Sequence, residues 1–472
     1  MADEELLWVD GFRAAEMIRR GEITSLELVE ATLEHVDRLE PSINAFVTVV
    51  AEQARAAARA ADSRVAQADD VDVLPPLLGV PISIKDLTET AGVRTTFGST
   101  EFASNVPTSD SMTAARVRAT GAVLIGKTTT PEFGMLGTTE SALTGITNNP
   151  WNPAFAAGGS SGGAAAAVAS GDGVIAWGSD GGGSIRVPAA MCGVVGFKPS
   201  MGRIPNRHPW DASSSEGPIT RSVADAALLF RETVGPDRHD PLSLPNEGTD
   251  YFRRVRELRD LRGTRIAFAP RPAGGPVARE VEDIASRAVA RFADAGIVVE
   301  LVDLPLPDPV AYFLAFWGPG FVAGADSPPL PHPAMRDLAS KAGGPAEYYE
   351  AATKTRVHLY EVYQKVFDGF DFIVTPTLPV APFRHPGDRG GNADVDGVAV
   401  TMPQIDFHRF TESPSHAGLP ALTVPCGFSA EGLPIGMQIV GNHLDDVGVL
   451  EVGALFEQVA PWRQFRPEIA LA

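Results

Sequence analysis

The feature that most constrains the fold is a set of short, continuous apolar runs between Leu78 and Leu229: residues 79–85 (GVPISIK), 121–127 (GAVLIGK), 173–179 (GVIAWGS) and 193–200 (GVVGFKPS). Each is too short for an ordinary helix and lacks the polar alternation of a half-exposed strand, so each reads as a strand buried on both faces. Gly-rich turns and helical stretches such as 111–119 separate them. Buried strands alternating with helices point to an α/β layered fold, because a sheet that is apolar on both faces needs a cover on each. Residues 264–303 repeat the pattern. RIAFAP predicts a strand, 277–293 put Val277, Val281, Ile284, Ala288 and Phe292 on one helix face, and GIVVELVDL predicts the next strand. Further strands are expected at DFIVTPT, ALTVPCGF and IGMQIVG, with helices near 346–368 and over 445–459.

The start of the chain has a different texture. Residues 10–40 carry apolar positions at helical spacing (Ala14, Met17, Ile18, then Leu26, Leu28, Val29, Leu33, Val36), Thr24 or Ser25 is placed to cap the second stretch, and Pro41 is expected to stop it. Residues 51–68 form an alanine-rich amphipathic helix, followed by a polar, Pro-rich break at 69–76. The expectation is an N-terminal helical segment, 1–70, packing on a core that occupies 71–472. Residues 304–345, rich in Pro, Gly and aromatics, suit a variable loop or lid with some helix.

Composition narrows the function. The 472 residues hold 39 Lys+Arg against 59 Asp+Glu, a formal net charge of −20, which argues against nucleic acid or an anionic membrane as partner. No apolar run approaches the roughly 18 residues of a spanning helix, and the acidic beginning MADEELLWVDGFRAAEMIRR is unlike a secretory signal, so a cytoplasmic location is expected. Cys192 and Cys426 stand far apart in apolar settings, and the nine histidines form neither HExxH nor a close His/Cys cluster. Neither a metal nor any other cofactor is expected.

Three local features could carry chemistry. Lys85 ends the apolar run Val80-Pro81-Ile82-Ser83-Ile84, where desolvation would lower its pKa toward the range of a general base; the simpler reading pairs it with adjacent Asp86. The run Gly158-Gly159-Ser160-Ser161-Gly162-Gly163 precedes a strong helix start, AAAAVAS. It fails as a phosphate loop, since Ala164 stands where a lysine is needed, but residues 158–162 match G-x-S-x-G, which would make Ser160 the nucleophile of an α/β-hydrolase-type esterase. The run Asp180-Gly181-Gly182-Gly183-Ser184-Ile185-Arg186 follows a predicted strand. Consecutive glycines let backbone N–H groups converge, so this run is either a tight turn or an anion nest beside a serine hydroxyl.

Taken together these segments resemble the amidase signature family of serine hydrolases. The likeness runs through GVPISIKD, IGKTTTPEFG, TNNPWNP, GGSSGG, SDGGGSIRVPA, GFKPSMGRIP and GPITRSVADAALL to DFIVTPTLP and AGLPALTVPCGF with GLPIGMQIVG. The resemblance implies a large mixed β-sheet core flanked by α-helices on both faces, with 71–472 as the catalytic domain and 304–345 as its substrate-pocket or lid region. It implies Ser184 as the acyl-forming nucleophile, Lys85 as the base, and Ser160 as the bridging serine, preceded by a cis peptide bond at Gly159–Ser160. It further implies an oxyanion hole from the backbone N–H groups of Gly181, Gly182, Gly183 and Ser184, a substrate-contacting backbone at Gly134, and supporting roles for Ser161, Asp180 and Arg186. Ser179 stands where the family more often has Thr, and TTFGS at 95–99 is a variant of the usual pattern.

A lysine acting through a second hydroxyl supplies general base and then general acid, so the chemistry needs no histidine. The implied substrates are small-molecule amides, with esters, carbamates or hydrazides open to the same route, and a homodimer is one expectation for assembly. Tyr312, Phe313, Phe316, Trp317, Phe321, Phe407, Phe410 and Met135 suggest a neutral, hydrophobic or aryl substrate; the alternative is that these aromatics are ordinary core. Two competing functions stand beside this one. The glutaminase subunit of a tRNA-dependent amidotransferase shares the signature, although DFHRFTESPSH before AGLP is unlike it. A dinucleotide-binding protein built on 264–303 would need G-x-G-x-x-G where the chain has Arg271-Pro272-Ala273-Gly274-Gly275.

Overall fold

The computed structural model describes residues 3–206, 214–321 and 332–471. Eleven strands form one sheet: β1 (Phe46–Val49), β2 (Pro81–Lys85), β3 (Val123–Thr128), β4 (Ile175–Asp180), β5 (Val195–Lys198), β6 (Ser215–Thr220), β7 (Arg265–Phe268), β8 (Val298–Leu301), β9 (Phe372–Pro376), β10 (Ala421–Phe428) and β11 (Pro434–Gly441). Their spatial order is β1-β3-β2-β4-β6-β5-β10-β11-β9-β7-β8. The sheet is mixed: β2 is parallel to β3 and β4, β7 is parallel to β8 and β9, and the strands from β4 across to β9 pair antiparallel. Every apolar run singled out above is a strand, and the fold is α/β.

Alternation along the strands builds a core on each face. Ile82, Ile84, Ile175, Trp177, Val195 and Phe197 pack on one side, while Val123, Ile125, Ala176 and Ile219 pack on the other. The second side is covered by the helix Gly162–Ser170, whose alanines 164–167 are fully buried. A Cβ at Gly162 or Gly163 would run into Thr139 or Thr129. The glycine-rich run is thus a consequence of close helix approach rather than of a flexible linker.

Helices Gly11–Arg19, Ser25–Ile43 and Ala51–Gln67 contribute Ala14, Leu28, Val36 and Ala54 to these same cores. Thr24 is the cap, in a reciprocal box with Glu27. Pro41 does not stop its helix, which runs to Ile43 and ends at left-handed Asn44. In the last turn the missing proline N–H removes only one backbone bond, and Asn44 closes the helix instead. In the aromatic region, helices Pro309–Phe321 and Pro333–Ser340 are present, and residues 322–331 of the expected lid lie outside the described residues. Among the described residues no helix is long and apolar enough to cross a membrane.

Candidate active site

Strands β2 and β4 deliver their C-terminal residues, Lys85 and Asp180, to one place. Lys85 is fully buried, and its Nζ donates to Ser160 Oγ at 2.7 Å and to Ser179 Oγ at 2.9 Å. Burial pulls its pKa down to about 7, against the upward pull of the Asp180 and Glu216 carboxylates. The simpler expectation, a Lys85–Asp86 pair, is not what forms. Asp86 instead accepts the Thr96 N–H at 2.9 Å and the Thr96 hydroxyl, and Lys127 supplies its countercharge.

Ser160 precedes the helix Gly162–Ser170, and the Gly159–Ser160 peptide bond is cis, as the resemblance implies. Ser161 ties this run to the next: its N–H donates to Ser184 O at 3.1 Å and its hydroxyl to Ser179 O at 3.2 Å. Gly134 has φ +72°, and a Cβ there would press on Leu87 and lie 3.2 Å from Ser160 Oγ. No histidine hydrogen-bonds Ser160 among the described residues, unlike the arrangement an α/β-hydrolase elbow requires.

The turn Gly181–Ser184 leaves β4 closely packed against side chains. A Cβ would meet the Trp317 ring at Gly181, the Glu412 carboxylate at Gly182 and the Thr411 hydroxyl at Gly183. The N–H groups of Gly182, Gly183 and Ser184 donate to no acceptor among the described residues. That leaves them available to a ligand.

Asp180 and Arg186 brace the turn from beneath. Arg186 donates through Nε to Asp180 Oδ2 at 2.9 Å and through Nη2 to Oδ1 at 2.8 Å, both side chains being fully buried. Arg186 reaches further, to Gln438 Oε1 and Ser415 Oγ, each at 2.6 Å. Burial opposes ionisation of Asp180, but the Arg186 charge and hydrogen bonds outweigh it and hold the carboxyl below its usual value. Breaking such a buried pair from one side costs about 3–5 kcal/mol.

A cavity of about 270 Å3 opens over these groups. Ser160, Ser179, Ser184 and Gly181–Gly183 form its floor, and Leu87, Met135, Val187, Leu338, Phe313 and Trp317 give it apolar walls. Of the aromatics singled out in the sequence, Phe313 and Trp317 reach the cavity. Tyr312, Phe316, Phe407 and Phe410 do not line it and are buried core, and the Phe321 side chain lies outside the described residues.

Several groups at this site were not singled out from the sequence. Glu216 on β6 faces Ser179 across the ladder, and its Oε2 accepts from Thr88 Oγ1 at 3.2 Å, Thr113 Oγ1 at 2.8 Å and Trp177 Nε1. Glu412 and His408, from the segment DFHRFTESPSH, line the cavity. Burial disfavours the Glu412 carboxylate, but His408 Nδ1 at 3.2 Å and His416 Nε2 at 3.1 Å outweigh it and hold the carboxyl below its usual pKa. The only available signal was the i, i+4 spacing of His408, Glu412 and His416, which places them on one helix face. Among the described residues no group of three or more His, Cys, Asp or Glu is arranged to hold a metal ion, and Cys192 and Cys426 are both free thiols.

Comparison with known proteins identifies this architecture. The family described as Amidase matches residues 27–325 and 333–450. An acylamidase of Rhodococcus erythropolis is 35% identical over 493 aligned positions, covering 100% of this chain and 99% of that protein. A glutamyl-tRNA(Gln) amidotransferase subunit of Roseiflexus sp. (strain RS-1) is 36% identical over 490 positions, covering 97% of each. The crystal structure of a bacterial aryl acylamidase of the amidase signature enzymes superposes with a TM-score of 0.88 at 32% identity over 98% of both chains. The chain therefore belongs to the amidase signature family and is an amidase, a hydrolase of carbon–nitrogen bonds.

Proposed function

We propose that this amidase cleaves neutral, hydrophobic or aryl amides through an acyl-enzyme on Ser184, with Lys85 as base and Ser160 as the relay. The observation that carries the reading is the 2.7 Å bond from a fully buried Lys85 to Ser160, beside a glycine turn with unclaimed amides. With a pKa near 7, much of Lys85 is a free amine at neutral pH. It takes the proton of Ser160 as Ser160 takes that of Ser184, and Ser184 Oγ bonds to the amide carbon. The amides of Gly181, Gly182, Gly183 and Ser184 meet the negative oxygen. The proton returns along the same path to the leaving nitrogen, the C–N bond breaks, and water then splits the acyl ester by the same steps. Esters, carbamates and hydrazides are open to this route. Gly134 offers backbone to the substrate, Ser161, Asp180 and Arg186 hold the turn, and 304–345 contributes a pocket wall through Phe313 and Trp317.

The likeness to the amidotransferase protein favours a second reading, glutamine as the amide. Free glutamine brings a carboxylate that needs a cation. The cavity has no Lys or Arg among its described lining residues, and it presents the Glu412 carboxylate. The test is a hydrolysis panel with the purified protein and no partner: an aryl amide, the matching ester and carbamate, and free glutamine. The expected outcome is turnover of the aryl amide with little of glutamine. Glutamine as the preferred substrate would reverse the assignment.

A further inference from the structure

We propose that Thr411 is a positioning residue that aims the Gly183 N–H into the cavity, an inference that rests on the reading of Gly181–Ser184 as the oxyanion-binding turn. Thr411 lies in the first turn of the helix Arg409–His416 and is fully buried. Its Oγ1 is 2.6 Å from Gly182 O and 2.8 Å from His408 O. One hydroxyl proton cannot serve two carbonyls. The His408 carbonyl already accepts the backbone N–H of Thr411 at 3.0 Å, whereas Gly182 O has no other donor among the described residues. The hydroxyl proton therefore belongs to Gly182 O.

The Gly182–Gly183 peptide is trans, so its C=O and N–H point in opposite directions. Gly182 and Gly183 line the cavity and Thr411 does not. Holding the carbonyl on the Thr411 side turns the Gly183 N–H to the cavity side. Three consecutive glycines would otherwise let this peptide rotate, because each lacks the Cβ that restricts φ and ψ. Gly183 itself sits at φ +136°, with Thr411 filling the place where its Cβ would be. Thr411 does not line the cavity; it acts through the peptide it holds.

The experiment compares Thr411→Val, which keeps the shape and removes the hydroxyl, with Thr411→Ser, which keeps the hydroxyl. For an aryl amide, Thr411→Val should lower kcat by roughly 10- to 100-fold, somewhat less than deleting an oxyanion donor outright, with little change in KM. Affinity for an aryl trifluoromethyl ketone, which forms a tetrahedral adduct, should fall in parallel with kcat. Thr411→Ser should recover most of the loss, and the pH midpoint of kcat/KM should stay in place because Lys85 is untouched. Should Thr411→Val not fold, Thr411→Ala removes the same hydroxyl with less bulk. A folded hydroxyl-free variant with near-native kcat, or a Thr411→Ser enzyme as slow as Thr411→Val, overturns the proposal. Mapping a fluorophosphonate adduct in the unaltered enzyme checks the underlying reading separately. An adduct off Ser184 removes that reading and the proposal with it, whereas an adduct on Ser184 with unchanged Thr411→Val kinetics removes the proposal alone.

Discussion

Lys85 and Lys127 lie near the ends of neighbouring parallel strands, both buried and both with a lowered pKa, about 7 and about 8, driven by desolvation. Their partners separate them. Lys127 Nζ donates to Thr88 O, to Thr90 Oγ1 at 3.0 Å and to Thr95 Oγ1 at 3.0 Å. Those two hydroxyls already spend their protons on the carbonyls of Thr88 and Val93, so each can only accept, and Lys127 needs all three ammonium protons. Lys85 meets two serine hydroxyls that donate to nothing else among the described residues. Either can turn its proton toward a neutral Nζ. Lys198, at the end of β5, resembles Lys127 in this respect, since both of its partners, Pro199 O and Leu419 O, are carbonyls. Burial alone does not set the three apart; on the reading proposed above, what suits Lys85 to act as base is burial among groups able to reverse their hydrogen bonds.

The strongest way to break this contrast is to delete each amine. Lys85→Ala should lower kcat/KM on an aryl amide by about 10²–10⁴-fold, and by less on an activated ester whose phenolate leaves without a proton. Lys127→Met should cost less than about tenfold, below the range for losing an acid–base group. Steady-state kinetics on folded protein checks both. Equal losses would mean that the different partners of the two lysines have no catalytic meaning.

The pH profile sharpens the comparison. A base must be unprotonated, so kcat/KM should rise with pH through a midpoint near the Lys85 value of about 7 and then level off. His408 lines the same cavity and histidine is a common general base, so a pH dependence alone does not name the base. His408→Gln should keep the rise and Lys85→Ala should abolish it. Glu216 raises the Lys85 pKa by its negative charge, so Glu216→Gln should move the midpoint to lower pH. A midpoint that stays put or climbs would remove Glu216 from the electrostatics of the base.

The two lysines also mark how far the sequence is legible. GVPISIK, GAVLIGK and GVVGFK are three apolar strands ending in lysine, and nothing local tells the proposed base, Lys85, from Lys127 and Lys198. Strands, helices and both glycine runs follow from short-range pattern, since alternation and breakers act over a few residues. Lys85 was singled out from its neighbours only through the accompanying serine runs and the family likeness they carry. Thr411 and Glu412 were beyond reach because their meaning comes from meeting Gly182 some 229 positions earlier in the chain. The aromatic cluster was half legible: its composition pointed to either a pocket or core, and whether Phe313 faces a cavity and Phe316 faces core depends on what packs opposite.

The smallest effect, and the one that isolates electrostatics from catalysis, is on stability. An ammonium whose pKa falls from about 10.4 unfolded to about 7 folded binds its proton more tightly in the unfolded chain. Between those values the unfolded chain carries more protons, so the Lys85 contribution to stability grows with rising pH and is least favourable below about 7. Lys85→Met should flatten that part of the stability curve. It should cost little at neutral pH, because Asp180 keeps Arg186 and Glu216 keeps its three donors. Lys127→Met removes the cation that lowers the pKa of buried Asp86, a group that burial already pushes up. That variant should lose roughly 1–3 kcal/mol, the cost of leaving a buried polar group without its partner. Denaturant melts of both variants across neutral and alkaline pH measure the difference. If Lys85→Met proves the less stable of the two at pH 7, Lys85 is a structural cation like its neighbour, and the feature that distinguishes the base is lost.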